Sequence, residues 1–375
     1  MMRANWIAVL LCISGSAIAQ PQPQQRALRQ APQQPVLKAL PVEPESTAQL
    51  QAPRGPATVD ETARLLAGLP VAGSLAPFMQ TPGWQEHARN VDEAWGKKAT
   101  QQILPIRQWM STNAPQYYSS TETMFYMFSG PDFLYANTFF PYANTYILAG
   151  LEPVGQVPDL TQMSPEQLRA ELAAMRGSLS TILRFQYFIT KDMRAEFGRS
   201  TLSGTLPILY VFLARMGNVV LDVTRVSSPA EGVKITFKDA VRQQTQTLYY
   251  FKTDLSGGGG SAFLKWCAAR GQGVSLLKAA SYLMHGEGFS GVRNFLLEHS
   301  RVIVQDDSGI PLRAFPKSWL VHCYGRYVPH QEMFGKYFQP DLAAVYEKQP
   351  PSELGFAFGY HWQKDRGMLM LAERQ

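Results

Sequence analysis

Short apolar runs that end in glycine and acidic residues recur along the chain, and they limit the folds it can adopt. Met124–Phe128 is one such run and leads into Ser129–Asp132, and Tyr146–Ala149 is another and leads into Gly150–Pro153. Continuous runs of this length predict strands that are buried on both faces of a sheet. Because helix-forming segments alternate with these runs, the pattern indicates an α/β protein.

Other segments refine this prediction. Ser164–Gln167 combines a serine cap, a proline in the first turn and a glutamine three residues after the cap, which predicts a helix start. Trp84–Met110 is helical in pattern, but Pro105 must kink or break it. Residues 233–238 alternate between apolar and polar side chains, which predicts a half-exposed antiparallel strand. We therefore expect a mixed, largely Rossmann-like sheet flanked by helices, with an antiparallel strand insert.

The chain divides into three predicted parts. Residues 1–19 have the pattern of a signal peptide, with a basic start, a short apolar stretch and small residues at Ala17 and Ala19. Residues 20–57 hold eight prolines and nine glutamines, which predicts a disordered tether. Residues 58–375 are expected to form one large α/β domain in a periplasmic or secreted protein. No later apolar run is long enough to span a membrane.

Charge and cysteine content exclude several classes of protein. The net charge of +6 is spread along the chain without a dense basic block, so it gives no reason to expect nucleic acid as a partner. Three cysteines are too few for a disulfide-rich scaffold. Cys267 and Cys323 are the only two in the predicted mature chain, and they are candidates for a disulfide, although their spacing says nothing about their distance.

Acidic residues follow several of the predicted strands. They are Asp132, Glu152, Asp254 and the pair Asp306 and Asp307. In α/β sheets, ligands bind outside the carboxyl ends of parallel strands, so these loops predict a carboxylate-lined crevice. The alternative is that the acidic side chains only cap turns and helices, as aspartate often does.

Histidines and an arginine near these loops are the candidate partners. In an enzyme, Asp132 or Asp306 is the predicted base, and His285 or His322 the acid or a metal ligand. In a binding protein, the predicted contacts to the ligand come from Glu152, Asp254, Asp307 and Arg326. The sequence offers no convincing metal site and no convincing cofactor site.

One glycine motif competes with this interpretation. Gly286–Gly291 matches the G-x-G-x-x-G pattern of dinucleotide-binding proteins, with Asp306 twenty residues beyond its first glycine. The preceding segment, Leu276–His285, fits a helix at least as well as a strand, and the motif lies late in the chain. We therefore do not expect a dinucleotide site here.

Three segments resemble an uncharacterised family of exported bacterial proteins. They are Ser129–Ala136, Gly150–Gly155 and Gln305–Pro311, and the resemblance extends from about Trp84 to the C-terminus. It implies export by a bacterium and carries no activity, substrate or catalytic residue.

Three functions fit these observations. The first is a binding protein that holds a polar small molecule or a glycan fragment in the acidic crevice. The second is a hydrolase that uses the aspartates and histidines, alone or with a metal ion. The third is an interaction protein of the cell envelope, whose tether and basic surface contact a partner.

Overall fold

The computed structural model describes residues 56–185, 201–329, 334–348, 353–360 and 367–375. The described residues belong to one compact unit. The predicted signal peptide and almost all of the predicted tether lie outside the described residues.

Nine strands of the described chain form one sheet. They are β1 (Thr123–Tyr126), β2 (Thr145–Gly150), β3 (Val219–Val226), β4 (Gly232–Lys238), β5 (Thr245–Lys252), β6 (Gly273–Leu277), β7 (Ser300–Gln305), β8 (Trp319–Gly325) and β9 (Met368–Arg374). Their order across the sheet is β3-β4-β5-β2-β1-β6-β7-β9-β8. The five central strands are parallel to one another, in the order β5, β2, β1, β6 and β7. The predicted mixed α/β fold is therefore confirmed.

Antiparallel strands border this parallel centre on both sides. On one side β4 pairs with both β3 and β5, and Val233, Ile235 and Phe237 of β4 are buried, as the alternating pattern predicted. On the other side β9 pairs with both β7 and β8. Strand β9 was not predicted from the sequence, although its first five residues are apolar and buried.

Helices cover the sheet. The helices of the described chain are α1 (Val59–Leu66), α2 (Pro82–Lys98), α3 (Leu104–Asn113), α4 (Pro115–Tyr118), α5 (Phe133–Phe139), α6 (Pro165–Phe185), α7 (Leu206–Arg215), α8 (Ser261–Ala268), α9 (Ser290–His299) and α10 (Pro340–Lys348). A π-helical turn, Ala99–Ile103, separates α2 from α3 just before Pro105, where the sequence predicted a break. Within the described ranges, no helix has both the length and the apolar character needed to cross a membrane.

Both faces of the central strands are buried, which explains their continuous apolar sequence. Met124 and Tyr126 of β1 belong to the larger apolar core on one face, and Phe125 and Met127 to a second core on the other. The chain passes from β1 to β2 on one side of β1 and later returns to β6 on its other side. This reversal opens a crevice at the carboxyl ends of β1 and β6, where doubly wound proteins bind ligands.

Candidate functional site

A cavity of about 250 Å³ lies at the carboxyl ends of β1, β2, β5 and β6. Residues from all four turns that follow these strands line it, and we call it the crevice. Three of the predicted carboxylates, Asp132, Glu152 and Asp254, contribute to its lining together with Lys278. The structure therefore brings these three predicted carboxylates together, and Lys278 was not among the predicted residues.

Asp132 and Lys278 form a buried ion pair at the base of the crevice. The Lys278 ammonium lies 3.1 Å from the Asp132 carboxylate, and the two side chains are only 1% and 2% exposed. The Tyr126 hydroxyl donates to the same carboxylate at 2.9 Å, and the backbone N–H of Tyr135 donates to it at 3.2 Å. Asp132 therefore caps α5 and neutralises Lys278, so it is not placed to act as a general base.

A second lysine lies behind this pair. Lys98 is 4% exposed at the end of α2, where the π-helical turn begins, and its ammonium lies 5.9 Å from the centre of the Tyr135 ring. Lys278 approaches the same ring at 4.1 Å. Burial lowers the pKa of Lys98 to about 7, and the charge of Lys278 adds to this effect while that of Asp132 opposes it.

Glu152 follows β2 and is the second buried carboxylate of the crevice. It is 4% exposed, and the Tyr250 hydroxyl donates to its backbone carbonyl at 2.8 Å. Gly130 and Gly150 pack against the Glu152 side chain, and a Cβ at Gly150 would overlap its Oε2 atom. Gly130 also has φ of 53°, a left-handed conformation that favours glycine. The two glycines thus make room for this carboxylate.

Asp254 is exposed at the rim of the crevice. Its Oδ1 accepts a hydrogen bond of 2.9 Å from the backbone N–H of Ser256, which lowers the pKa of Asp254. This contact is the turn-capping role that was the alternative prediction for these residues. Asp254 can cap its turn and still present its second oxygen to a ligand.

Backbone strain is concentrated around the crevice. The non-glycine residues with positive φ in the described chain are Phe128, Gln243, Ala279, Ser281 and Tyr282. Three of them line the crevice and Tyr282 lies beside it. A left-handed conformation costs about 1–2 kcal/mol for such residues and persists where the surroundings impose it, which is typical of functional sites.

The turn after β7 holds this strained loop in place. Asp306 accepts the backbone N–H of Ala279 at 2.9 Å, and the Ser308 hydroxyl accepts that of Ala280 at 2.7 Å. The Ser308 carbonyl accepts the N–H of Tyr282 at 3.1 Å. The loop between β6 and α9 is therefore shaped by the neighbouring turn rather than by its own sequence.

This arrangement corrects the role predicted for Asp306. The residue is 0% exposed and does not line the crevice, and both of its oxygens accept hydrogen bonds from Ala279 and Ser308. Burial raises the pKa of Asp306, and those hydrogen bonds oppose the rise. Asp306 is thus a positioning residue for the crevice wall and not its base.

A second cavity of about 420 Å³ shares Leu283 and Phe289 with the crevice. Arg313 and Lys336 line it together with His285, and we call it the basic compartment. Burial is the main cause that lowers the pKa of His285 to about 4, and the charge of Arg313 contributes, so the imidazole is neutral at neutral pH. His285 lines this compartment and not the crevice, so the structure places it beside the predicted site.

Asp307 lies behind the basic compartment. It is 2% exposed and accepts a hydrogen bond of 2.7 Å from the Tyr282 hydroxyl. Burial and the neighbouring charge of Asp306 raise the pKa of Asp307 to about 7. Asp307 holds the Tyr282 hydroxyl in place. Because its side chain is almost fully buried, Asp307 is not positioned for the ligand contact that was predicted.

His322 and Arg326 do not belong to the crevice. His322 is an exposed residue of β8, the strand at the opposite edge of the sheet from β3, and Arg326 is exposed just after that strand. Arg326 lines a separate surface cavity with Tyr327 and Tyr346. The predictions that placed His322 as an acid or metal ligand and Arg326 as a ligand contact are therefore wrong for this crevice.

The predicted disulfide is not formed. Cys267 of α8 is buried in the second apolar core, whereas Cys323 of β8 packs with Leu342 and Met370, and both thiols are free. Burial raises the pKa of Cys267 to about 12 and that of Cys323 to about 11, which keeps both thiols protonated and unreactive.

The glycine motif at 286–291 does not form a dinucleotide site. Strand β6 ends at Leu277, nine residues before Gly286, and the interval ends in a short 3-10 turn, Leu283–His285. A Cβ at Gly288 or Gly291 would have nothing within 4 Å, so neither glycine is needed for close packing. Asp306, which the motif would place on a ribose, is buried.

Two further features bear on the chemistry of the site. Tyr360 is 7% exposed, lines the crevice, and its hydroxyl lies 2.9 Å from that of Ser281. Neither residue was singled out by the sequence, because Ser281 lies in Leu276–His285, which fitted a helix as well as a strand, and Tyr360 follows no predicted strand. Within the described ranges, no group of three or more histidine, cysteine, aspartate or glutamate residues is arranged to hold a metal ion.

No protein family model matches the chain, and no curated protein sequence matches it. Among solved structures, the plantazolicin methyltransferase BpumL in complex with SAH is similar at 8% sequence identity. The match covers 84% of this chain and 96% of that one, with a TM-score of 0.28. A score this low does not establish a common fold, and the topology given above rests on the strand pairing alone.

Proposed function

We propose that the protein binds a small molecule with vicinal hydroxyl groups, such as a sugar ring or the ribose of a nucleoside, in the crevice. The observation that carries this proposal is the position of Glu152. It is a buried carboxylate just after β2, the second strand of a β-α-β unit formed by β1, α5 and β2. In doubly wound proteins, a carboxylate at this place accepts hydrogen bonds from ribose hydroxyls.

The charge of the crevice argues against a phosphate there. Three carboxylates line it against one ammonium group, and Lys278 is already paired with Asp132. The Asp132 side chain also occupies the first turn of α5, where a phosphate of a nucleotide would otherwise lie. The part of the ligand held in the crevice is therefore neutral or positively charged.

Two aromatic side chains provide an apolar surface beside the carboxylates. Phe128 and Phe289 line the crevice and meet edge to face, with ring centres 5.7 Å apart. Aromatic rings pack against the apolar faces of sugar rings and bases, while carboxylates accept hydrogen bonds from the sugar hydroxyl groups. The crevice thus offers both kinds of contact that such a ligand requires.

The geometry gives less support to a hydrolase. The described lining of the crevice contains no histidine, Asp132 is held in an ion pair, and Asp306 is buried behind the wall. General acid–base catalysis needs a group within hydrogen-bond reach of the substrate, and none of the predicted pairs meets this requirement. Binding is therefore the function that the site supports best.

Thermal unfolding with a panel of monosaccharides and nucleosides tests the proposal. At a hundredfold excess over its Kd, a ligand raises the free energy of unfolding by about 2.7 kcal/mol. We expect at least one diol-bearing compound to raise the Tm of the wild type clearly more than that of Glu152→Gln, whose neutral amide is the weaker acceptor. The exposed Glu298→Gln serves as the control and should respond like the wild type. A panel without any shift would contradict the proposal.

We also propose that the chain is exported to the periplasm or secreted. The support is the N-terminal pattern, a basic residue, a short apolar stretch and small residues before Gln20. After expression in a bacterium, the intact mass of the recovered protein should correspond to a chain that begins at Gln20. A full-length protein retained in the cytoplasm would contradict export.

A further inference from the structure

The basic compartment differs in charge from the crevice that it adjoins. Arg313 and Lys336 line it, and no aspartate or glutamate is among the described residues that do so. Because the imidazole of His285 is neutral, Arg313 and Lys336 are the charged side chains of the lining at neutral pH, and the charge of Asp341 acts on His285 from outside the lining. A concave surface with one sign of charge concentrates ions of the opposite sign.

The wall between the two cavities is built from the strained loop. Tyr282 is left-handed, with φ of 56°, and hydrogen bonds from its hydroxyl to Asp307 and from its N–H to Ser308 hold it there. Its ring stacks on Tyr337 with 4.9 Å between ring centres and 3° between planes. This contact packs the segment that carries Lys336 against the strained loop.

Tyr337 also holds one of the two cations. The Lys336 ammonium lies 4.9 Å from the centre of the Tyr337 ring, a cation–π contact. A cation held in this way keeps its hydrogen-bond donors, because the ring uses none of them. Arg313 lies close enough to His285 for its charge to lower the pKa of that residue.

We propose that the basic compartment binds an anionic group, a carboxylate or a phosphate, through Arg313 and Lys336. The proposal concerns a second site and does not depend on what the crevice holds. Leu283 and Phe289 line both cavities, so the proposed anion site adjoins the crevice.

NMR titration with inorganic phosphate, and separately with acetate, tests this site without any diol. We expect saturable shifts of the backbone signals of Gly286 and Gly288, which line the compartment, with one or both anions. The response to the two probes distinguishes a phosphate site from a carboxylate site. Saturation should require a higher anion concentration as sodium chloride is raised, because the attraction is screened.

The Arg313→Gln and Lys336→Gln double variant should lose the saturable shifts, with at least about a tenfold weaker apparent affinity. A control that removes Arg89 and Lys265, two exposed cations outside the compartment, should bind like the wild type. Shifts that persist in the double variant, or no saturable shift with either anion, would overturn the proposal. Neither result depends on Glu152, so failure of this site and failure of the crevice are distinguishable.

Discussion

Lys278→Met is expected to lower the free energy of unfolding by about 3–5 kcal/mol, because it leaves a buried carboxylate without its counter-ion. Asp132 is 2% exposed and cannot regain hydration in the folded protein. The methionine fills a similar volume, so the loss comes from the charge and not from a cavity. Urea unfolding followed by circular dichroism measures the change.

The loss should depend on pH because Lys98 can partly replace Lys278. The pKa of Lys98 is lowered to about 7, in part by the charge of Lys278. Removal of Lys278 should raise the pKa of Lys98, but Lys98 should still be protonated mainly at lower pH. A protonated Lys98 stabilises the Asp132 carboxylate, and this contribution is lost as the pH rises through the pKa of Lys98. Lys278→Met should therefore be more destabilising at pH 9 than at pH 6.

The double variant Asp132→Asn with Lys278→Met is the matched control. Asparagine keeps an oxygen for the N–H of Tyr135 and removes the unpaired charge, so it should restore most of the lost stability. A single variant Lys278→Met within about 1 kcal/mol of the wild type at both pH values would show that the ion pair does not hold the base of the crevice.

Gly359→Ala is expected to destabilise the protein by at least about 2 kcal/mol and to weaken ligand binding about tenfold. Gly359 has φ of 68°, and a Cβ there would overlap the Oδ2 atom of Asp306. That oxygen accepts the N–H of Ala279, so its displacement releases the strained wall of the crevice. Urea unfolding and calorimetric titration with a ligand from the panel measure the two effects.

Gly355→Ala is the control for this variant. Gly355 is exposed, and a Cβ there would meet nothing within 4 Å, so stability and affinity should stay close to the wild type. If Gly359→Ala lost stability and kept full affinity, Asp306 would stabilise the fold without shaping the site.

The strand ends were the most informative part of the sequence. Asp132, Glu152 and Asp254 follow β1, β2 and β5, and local pattern with the sheet rule was enough to predict an acidic turn at each strand end. That the three turns meet depends on the strand order β5-β2-β1, which the structure supplies. Asp306 follows β7 in the same way, but its side chain turns inward to bind the neighbouring loop. Which way a side chain points within a turn depends on tertiary contacts that local sequence does not encode.

The errors have a common physical origin. His322 was grouped with the acidic loops because strand order is not encoded locally, and β8 lies at the edge of the sheet. Lys278 was missed because a lysine after an apolar run usually marks the start of a solvated turn. Its partner Asp132 is 146 positions earlier in the chain, and only the adjacency of β1 and β6 brings them together.

The measurement that tests the central claim most directly is a calorimetric comparison of a diol ligand with its deoxy analogue, for wild type and Glu152→Gln. For a responsive nucleoside, the pair would be the ribonucleoside and its 2′-deoxy form. If Glu152 accepts hydrogen bonds from both hydroxyl groups of the diol, loss of one hydroxyl weakens binding to the wild type about tenfold to a hundredfold. The same loss should have a clearly smaller effect on Glu152→Gln binding, because the amide keeps only one oxygen that can accept a hydroxyl and has lost the charge. An equal effect of the deoxy change on both proteins would contradict the account.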